Sequence, residues 1–346
     1  MKHQTTRYGE IPFYKIGTFG NTADAFISKK LFLEYKTKYS FPKKGDILIS
    51  ASGTIGRAVI YDGKPAYFQD SNIVWIDNDE TLVKNDFLFY AYSNVKWNTE
   101  YTTILRLYND NFRNTLIPLP PLNEQSTIAN ILSDLDRYLC ALDALILKKE
   151  GVKKSLSFEL LSQRKRLKGF NQAWQRVRLG DIANYLTSNL SVEQITQQGE
   201  IKVYDVNNFI GYTDTTFISD KPYISIVKDG SVGRVRILPP KTNILSTMGA
   251  LIANHRTTTE FLFYLLSNFD FKNFTSGSII PHIYFKDYKE KTIFLPPLNE
   301  QSAIANILSA LDNEIASLKN KKRQFENIKK ALNHDLMSAK IRVLEK

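Results

Sequence analysis

Few residues of this sequence could take part in catalysis, and none of them forms a complete catalytic set. Glu200 and Lys202, within GEIK (199–202), match a fragment of a metal-dependent nuclease pattern. The related stretch GEIPF (9–13) has Pro12 where the lysine would be, so a solvent-facing strand explains both stretches more simply. The nuclease alternative predicts magnesium-dependent cleavage of DNA that Lys202→Ala abolishes.

Motifs for cofactors and metals are also missing from the sequence. There is no GxxxxGK[ST] loop for phosphates and no GxGxxG turn for a dinucleotide or S-adenosylmethionine. Both Pro-Pro pairs are preceded and followed by leucine, which differs from the pattern of amino-methyltransferases. The four histidines have no cysteine partners at zinc-ligand spacing, and Cys140 is expected to be a small packed side chain. We therefore expect no catalytic residue, no metal site and no cofactor in this chain.

Polar and basic residues beside glycine turns suit contacts with nucleic acid. In GSVGRVRIL (230–238), Arg234 and Arg236 fall on one face of a predicted strand, and GTIGR (53–57) places Arg57 in the matching position. Hydroxyl, amide and guanidinium groups are those that contact phosphates and base edges, although surface arginines are more often only solvated. The candidate DNA-contacting residues are Ser52, Thr54, Arg57, Arg106, Asn111, Arg113, Lys228, Ser231, Arg234, Arg236, Ser276, Ser278, His282 and Lys286.

The overall charge favours a polyanionic partner without proving one. The 346 residues carry a formal net charge of +11, and the pI is about 9.4. Lysine and arginine neutralise phosphates and release counterions, so a basic surface favours nucleic acid. A single cysteine, no apolar run of the length of a membrane span and no apolar signal-peptide core predict a cytoplasmic protein.

An internal repeat organises the chain. LPPLNEQSTIANILSDLD (119–136) returns as LPPLNEQSAIANILSALD (295–312), with sixteen of eighteen residues identical. Weaker pairs precede each copy: FLFYAYSN with FLFYLLSN, GTIGR with GSVGR, and GEIPFY with GEIKVY. The sequence therefore predicts two units of roughly 175 residues, each with a variable globular part and a nearly constant tail.

The tails have the pattern of long helices. After each Pro-Pro pair, Asn123 or Asn299 is a predicted N-cap, and apolar residues recur in alternating steps of four and three. Such heptad seams in one chain are satisfied most simply by antiparallel pairing, the alternative being two surface helices that each lie on their own domain. Gly151 leaves the length of the first helix open.

The parts that precede the tails are predicted to mix strands with short helices. Segments 45–61 and 223–238 have the form strand, glycine turn, strand, and FLFYAYSN and FLFYLLSN are short buried helices. WQRVRLGDIANYL (174–186) is an entry strand running into a helix, and the first unit has no counterpart to it. The predicted divisions are globular domains at 1–121, with its opening strand missing, and 171–297, and helical regions at 122–170 and 298–346. The fold class is α+β.

The doubled LPPLNEQ–helix pattern resembles the specificity subunit of type I restriction–modification systems. WQRVRLGDIA at 174 and the helix ends LLSQRKRLKGF (160–170) and LMSAKIRV (336–343) add to this resemblance, which covers essentially the whole chain. The resemblance implies two target recognition domains, each reading half of a split double-stranded DNA target, and two conserved helices that pair antiparallel. It also implies a non-catalytic chain that docks two modification subunits, which methylate adenine using S-adenosylmethionine, and through them ATP-driven restriction subunits.

Such an architecture explains why the helices match while the domains differ. Two copies of one partner need like docking surfaces, whereas two half-sites need unlike reading surfaces. The candidate partner-binding residues, predicted to face outward, are Asn123, Gln125, Asn130, Ser133, Asn299, Gln301, Asn306 and Ser309. A helix of ~45 residues spans roughly 65–70 Å, so it could set the distance between half-sites. A coiled-coil DNA-binding scaffold or regulator without enzyme partners is the alternative function.

Overall fold

The computed structural model describes residues 4–68, 72–97 and 106–343. The chain forms two compact units, and each contains part of both long helices. Unit 1 comprises residues 1–143 and 320–346, and unit 2 comprises residues 144–319. Within the described ranges, no helix is long and apolar enough to cross a membrane.

Unit 1 begins with short strands and helices that precede the first long helix. They are β1 (Ile11–Tyr14), β2 (Ala25–Ile27), α1 (Lys29–Lys38), β3 (Ile47–Ser50), β4 (Ala58–Ile60), β5 (Tyr67–Phe68), β6 (Ile73–Trp75), α2 (Asn85–Asn94), α3 (Asn109–Arg113) and α4 (Leu122–Leu161). The strands form two three-stranded sheets, in the orders β2-β1-β5 and β4-β3-β6.

The core of unit 1 joins the second sheet to the long helices through α2. Phe87, Tyr90 and Ala91 of α2 are buried against Ile128 and Leu132 of α4. The predicted short buried helix FLFYAYSN is therefore confirmed. It is the element that attaches the globular part of unit 1 to its helical part.

Unit 2 repeats this plan with more strands. Its elements are β7 (Gln175–Arg178), β8 (Ala183–Thr187), β9 (Ile201–Tyr204), β10 (Phe209–Thr213), β11 (Tyr223–Val227), β12 (Val235–Leu238), β13 (Thr242–Ile244), β14 (Met248–Ala253), α5 (Thr259–Ser267), β15 (Thr275–Ser276), β16 (His282–Ile283), α6 (Phe285–Tyr288), β17 (Thr292–Leu295) and α7 (Leu298–Met337). The sheets have the orders β12-β11-β14-β8, β10-β9-β13, β17-β7 and β15-β16.

The predicted entry segment of unit 2 is only partly a strand that leads into a helix. β7 pairs antiparallel with β17 as expected for an entry strand. The chain then makes a single 3₁₀ turn at Leu179–Asp181 and continues as β8, which pairs with β14. The predicted helix after the strand was wrong, because Ile182 and Ala183 are buried in the sheet layer beneath α5.

In each unit the two long helices pair antiparallel. In unit 1, the Tyr138 and Phe325 rings are in tilted contact with centroids 4.7 Å apart, and Lys322 Nζ lies 2.7 Å from Asp143 Oδ1. Because Asp143 follows Tyr138 while Lys322 precedes Phe325, the two helices run in opposite directions.

Unit 2 shows the same antiparallel order through ion pairs. Lys149 Nζ lies 2.8 Å from Glu314 Oε1, and Lys153 pairs with Asp312. Antiparallel packing of the seams is therefore confirmed within each unit. Ile328 of α7 also follows the apolar spacing of the seam and was predicted to be buried, which was wrong, since 51% of it is exposed.

Three details of the helices were either predicted differently from the sequence or left open. Asn123 and Asn299 are not N-caps, because α4 and α7 begin one residue earlier, and the amide of Gln125 donates to Pro121 O at 2.9 Å. Gly151 does not interrupt α4, which is helical from Leu122 to Leu161. Cys140, expected to be packed, is exposed.

Candidate nucleic-acid interface

The two segments of unit 2 singled out for DNA contacts form one surface. The amide of Gly230 donates to Pro281 O at 2.8 Å, and that of Ile283 donates to Lys228 O at 2.9 Å. His282 Nδ1 lies 2.6 Å from Asp229 Oδ1, so a side-chain contact supports the backbone pairing. The turn after β11 and the β15–β16 hairpin are thereby joined, although about fifty residues separate them in sequence. We call the surface formed by residues 228–236 and 275–286 the unit 2 turn surface.

Arg234 and Arg236 are held in place by a loop between β9 and β10. Arg234 NH2 donates to Asn207 Oδ1 at 3.0 Å, and Arg236 NH1 donates to Asn207 O at 2.9 Å. The Arg236 guanidinium also lies 5.1 Å from the centre of the Tyr204 ring. These contacts bring both arginines to one side of β12, which agrees with the predicted shared strand face. They restrict the rotamers of both side chains, which lowers the entropy lost on binding a ligand.

The remaining predicted residues of unit 2 differ in accessibility. Ser231, Ser276, Ser278 and Lys286 are exposed, and Lys228 is half-buried. Lys286 Nζ lies 5.5 Å from the centre of the Tyr284 ring, and the neighbouring Ile279 is 92% exposed. The unit 2 turn surface thus presents hydroxyl, cationic and apolar groups side by side.

Unit 1 has a corresponding surface, which we call the unit 1 turn surface (residues 50–57 and 106–107). Ser52 forms an antiparallel bridge with Arg106, just as Asp229 does with His282 in unit 2. Ser52 Oγ also bonds to Asn72 Oδ1 at 2.8 Å, and Arg57 NH1 donates to Phe19 O at 2.9 Å. Thr54 is exposed at the tip of the turn.

The other predicted residues of unit 1 have local partners of their own. Asn111 Oδ1 accepts from the amide of Tyr108 at 2.6 Å and so caps the short helix α3. Arg113 is exposed and lies 3.5 Å from Asp110. Within the same predicted segment, residues 102–105 lie outside the described part of the chain.

Glycine is required in both turns for conformational and steric reasons. Gly56 and Gly233 have φ values of +79° and +80°, in the left-handed region that side chains disfavour. A Cβ atom at Gly56 would lie 2.3 Å from Trp97 Nε1, and one at Gly233 would lie 2.6 Å from the Phe271 ring. The close approach of an aromatic ring explains why each turn keeps its second glycine.

Two residues proposed as outward docking positions are buried instead. In unit 2, Gln301 Oε1 accepts from the Thr258 amide and the Thr257 hydroxyl, while Nε2 donates to Arg256 O and Pro296 O, all at 2.9–3.0 Å.

In unit 1, Gln125 Oε1 accepts from the Lys84 amide at 2.8 Å, and Nε2 donates to Leu82 O and Pro120 O. The prediction that Gln125 and Gln301 face outward was wrong, because each is 1% exposed or less. Their identity in the two copies has a structural reason, namely anchoring the globular part to the helix.

The glutamates that precede these glutamines are also internal. Glu124 is bonded by the Arg342 guanidinium, with Nε 2.7 Å from Oε1. In unit 2, Arg166 NH2 lies 2.6 Å from Glu300 Oε2, which also accepts from Trp174 Nε1 at 2.9 Å. The Arg342 hydrogen bond lowers the pKa of Glu124 below its ordinary value. Each glutamate therefore ties the start of one long helix to the segment that follows the other.

The short helices α2 and α5 are each bonded to the long helices through a tyrosine, an aspartate and a lysine. Tyr264 OH donates to Asp312 Oδ2 at 2.9 Å, and Lys153 pairs with the same carboxylate. Tyr90, Asp136 and Lys329 repeat this arrangement in unit 1. Burial, reinforced by the bond to Asp312, raises the pKa of Tyr264 well above its ordinary value. The phenol therefore stays protonated and acts as a donor.

The other proposed docking residues remain accessible. Asn123, Asn130, Asn299 and Asn306 are exposed, while Ser133 and Ser309 are half-buried. Asn123 Oδ1 accepts from the amide of Glu124 at 2.9 Å, and Ser133 Oγ donates to Asn130 O at 3.1 Å. These six residues form matched polar positions on α4 and α7.

The residues of the nuclease alternative lie beside the acidic side chain of Asp214. Lys202 is exposed on β9, and the amide of Glu200 donates to Asp214 Oδ1 at 2.9 Å. Among the residues whose positions are described, no group of three or more His, Cys, Asp or Glu side chains is arranged to hold a metal ion.

Sequence reasoning missed the residues that organise the arginines and the histidine. Asn207 anchors both Arg234 and Arg236, and Asp229 contacts His282. Asp229 directly precedes a glycine turn, which is a weak signal. Asn207 lies more than twenty residues before the arginines, so nothing in the local sequence connects them.

Residues 1–149 and 171–327 match the family described as type I restriction modification DNA specificity domain. A Haemophilus influenzae protein named as a type I restriction enzyme specificity subunit is 63% identical over 137 residues, which are 39% of this chain and 36% of that protein. One from Methanocaldococcus jannaschii, named as the MjaX specificity subunit, is 28% identical over 337 residues, which are 86% of this chain and 79% of that protein.

A solved structure supports the fold assignment. The S subunit of a type I restriction–modification system from M. genitalium superposes with a TM-score of 0.63 at 20% identity, covering 97% of this chain and 91% of that one. The match to the family spans both globular parts and most of both long helices. The chain therefore belongs to the family of type I restriction–modification DNA specificity subunits.

Proposed function

We propose that the unit 1 and unit 2 turn surfaces each read one half of a split double-stranded DNA target. The observation that supports this most directly is the convergence in unit 2, where Lys228, Arg234 and His282 are brought to one surface by the Gly230–Pro281 and Asp229–His282 contacts. Unit 1 supports the same role with Arg57 and Arg106 around the Ser52 bridge.

The two reading surfaces carry different side chains on a common backbone plan. Where unit 2 has Asp229 and His282 at the bridge, unit 1 has Ser52 and Arg106. Sequence is read through the pattern of donors and acceptors on base edges, so these different pairs favour different half-sites. The prediction of unlike targets for the two domains rests on this difference.

The chain acts in this proposal as a non-catalytic subunit in the cytoplasm. It docks two DNA-methylating modification subunits, and through them restriction subunits, along the exposed polar positions of the long helices. S-adenosylmethionine, ATP and Mg²⁺ would be bound by those partners rather than by this chain. The 40-residue helices α4 and α7, each about 60 Å long, would set the spacing between half-sites.

The test is reconstitution with a modification subunit, S-adenosylmethionine and genomic DNA, followed by mapping of methylated adenines by long-read sequencing. Methylation at a split target is expected only when this chain and the modification subunit are both present. Methylation by this chain alone would contradict a non-catalytic role.

Substitution at the unit 2 turn surface tests the reading role. Arg234→Ala is expected to weaken binding of the mapped target by roughly 5- to 150-fold, the range for loss of a base-edge contact. Lys202→Ala removes one exposed positive charge from β9, outside the residues of the turn surface, and is the matched control. Equal effects of the two substitutions would show that Arg234 contributes only general electrostatic attraction.

A further inference from the structure

Strand β17 of unit 2 is covered by the segment that enters the unit. It pairs with β7 in the register Ile293 to Val177 and Leu295 to Gln175. Leu295 is 4% exposed, and the entry segment Trp174–Ile182 fills the layer beneath α5 with Trp174, Val177, Leu179 and Ile182, each at most 8% exposed. The last strand before the Pro-Pro pair is therefore covered along one edge.

The matching segment of unit 1, residues 116–119, has no such cover from the residues whose positions are described. It directly precedes Pro120-Pro121 but forms no strand, and 93% of Leu116 and 43% of Leu119 are exposed. Within the described ranges, the backbone groups of Leu116, Ile117 and Leu119 form no hydrogen bond. Backbone groups without partners at the edge of a fold are a template for strand addition.

A groove lies beside this segment where unit 2 has packed side chains. Its volume is about 510 Å³, and Ala91, Val95, Ile117 and Met337 contribute its apolar wall. In the repeat, Ala91 and Val95 correspond to Leu265 and Phe269, which pack in the same cluster as the entry segment. The groove therefore lies where unit 2 holds its entry segment.

The backbone of residues 116–119 suits an added antiparallel strand. In unit 2, Leu179 N donates to Lys291 O at 3.0 Å, so the alternation of antiparallel pairing turns the amides of Ile293 and Leu295 towards β7. The intervening residue, Phe294, is replaced in unit 1 by Pro118, which has no N–H but would need none at that position.

We propose that the groove of unit 1 binds an extended segment of the Trp174–Ile182 type that does not belong to residues 1–346, which adds a strand to residues 116–119. The chemistry required is an aromatic residue, then apolar residues in alternation, then a glycine turn, as in WQRVRLGDI. A second copy of this chain is the poorer donor, since its own segment is buried in unit 2 and would have to leave that core.

The environment of Glu124 agrees with a missing aromatic partner. Glu300 accepts from both Arg166 and Trp174, and the Arg166 side chain is 26% exposed. Glu124 is bonded by Arg342, whose side chain is 53% exposed. A tryptophan entering the groove would have Glu124 as an acceptor, as Trp174 has Glu300.

The experiment uses a fluorescein-labelled synthetic peptide with the sequence of residues 172–183, titrated with the full chain and followed by fluorescence anisotropy. Saturable one-to-one binding is expected. Replacing the tryptophan of the peptide by alanine is expected to weaken binding by roughly 30-fold, as for a buried aromatic anchor. Absence of saturable binding by the unmodified peptide would overturn the proposal.

Two proline substitutions distinguish strand addition from nonspecific hydrophobic binding of the peptide. Leu119→Pro removes an amide that faces the added strand and is expected to weaken binding by roughly tenfold. Leu116→Pro, whose amide faces away, is the matched control and should bind the peptide as the unmodified chain does. Equal effects of both substitutions would contradict the pairing.

A measurement on the unmodified protein covers the case in which Leu119→Pro perturbs folding. Peptide addition is expected to slow hydrogen exchange at the amides of Ile117 and Leu119, and unchanged exchange there would overturn the proposal. Light scattering on the free chain tests whether a second copy of this chain donates the strand. Dimers that the peptide dissociates would show that a second copy occupies the groove, and this would overturn the proposed donor.

Discussion

Removal of the buried glutamine of unit 2 tests whether the repeated LNEQ motif is structural. Gln301 makes four hydrogen bonds from a side chain with no exposed surface, linking α7 to the residues that precede α5. In Gln301→Ala, two carbonyl oxygens, one amide and one hydroxyl lose their partner together. A buried neutral hydrogen bond contributes about 1 kcal/mol net.

The four contributions do not add fully, because a water molecule can enter the vacated space and restore some of the bonds. We therefore expect Gln301→Ala to lower the free energy of unfolding by about 2–4 kcal/mol. Gln125→Ala, which breaks three bonds in unit 1, should cost about 1 kcal/mol less. The exposed Gln197→Ala is the control and should stay within about 0.5 kcal/mol of the parent.

The assay is urea unfolding followed in parallel by tryptophan fluorescence and circular dichroism. A further variant, Gln301→Glu, keeps an acceptor for Thr258 but turns an oxygen towards Arg256 O and Pro296 O. At neutral pH it should be at least as destabilising as alanine, since a buried carboxylate facing two carbonyls is unfavourable. Full stability of Gln301→Ala combined with loss of partner docking would refute the reasoning and restore the outward assignment.

Three further predictions concern the ion pair at the start of α4, the glycine turn at Gly233 and the length of α4. The ion pair of Glu124 with Arg342 contributes stability that is complete above the ordinary glutamate pKa of about 4.3 and is lost as the pH falls through the lowered pKa of Glu124 in the folded protein. Thermal melts from pH 6 to 3 should show this loss, and Glu124→Gln should reduce it. Identical profiles of the parent and the variant would contradict the role of the pair. Gly233→Ala should destabilise the chain by about 1–2 kcal/mol for the left-handed backbone alone, and the contact of the new Cβ atom with Phe271 adds a further cost. Gly17→Ala is the control, because a Cβ atom at Gly17 meets open space, and it should be neutral in the same urea titration. Insertion of four residues near Leu142 should lengthen the gap between methylated half-sites or prevent assembly with the modification subunit, and an unchanged target in methylation mapping would contradict spacing by the helices.

The sequence alone was sufficient for the repeat, the long helices and the family. These depend on local periodicity and near-identity, such as the seam from Ile128 to Ile146 and the copied LPPLNEQ segment, which are visible without coordinates. The strand–turn–strand segments at 45–61 and 223–238 could also be predicted from the sequence, because glycines between two apolar strands specify a tight turn independently of the tertiary environment.

Only the tertiary structure decided which polar residues face inward. Gln125 and Gln301 sit at identical places in a polar motif, and helical periodicity assigned them to the surface. They are buried because the residues before α2 and α5 fold back over the start of each long helix. Their burial depends on residues about forty positions away, and no local pattern encodes that contact.

The same distinction separates the candidate residues from the candidate surface. The residue types in the sequence identified Arg234 and His282 as separate candidates. Their placement on one surface depends on the Asp229–His282 contact and the Gly230–Pro281 hydrogen bond, which join segments distant in sequence. Likewise, the sequence indicated that unit 1 has no counterpart to the entry strand, whereas the exposed edge at 116–119 and its groove emerged only from packing. Periodicity is a property of neighbouring residues, while burial and convergence depend on which distant segments meet.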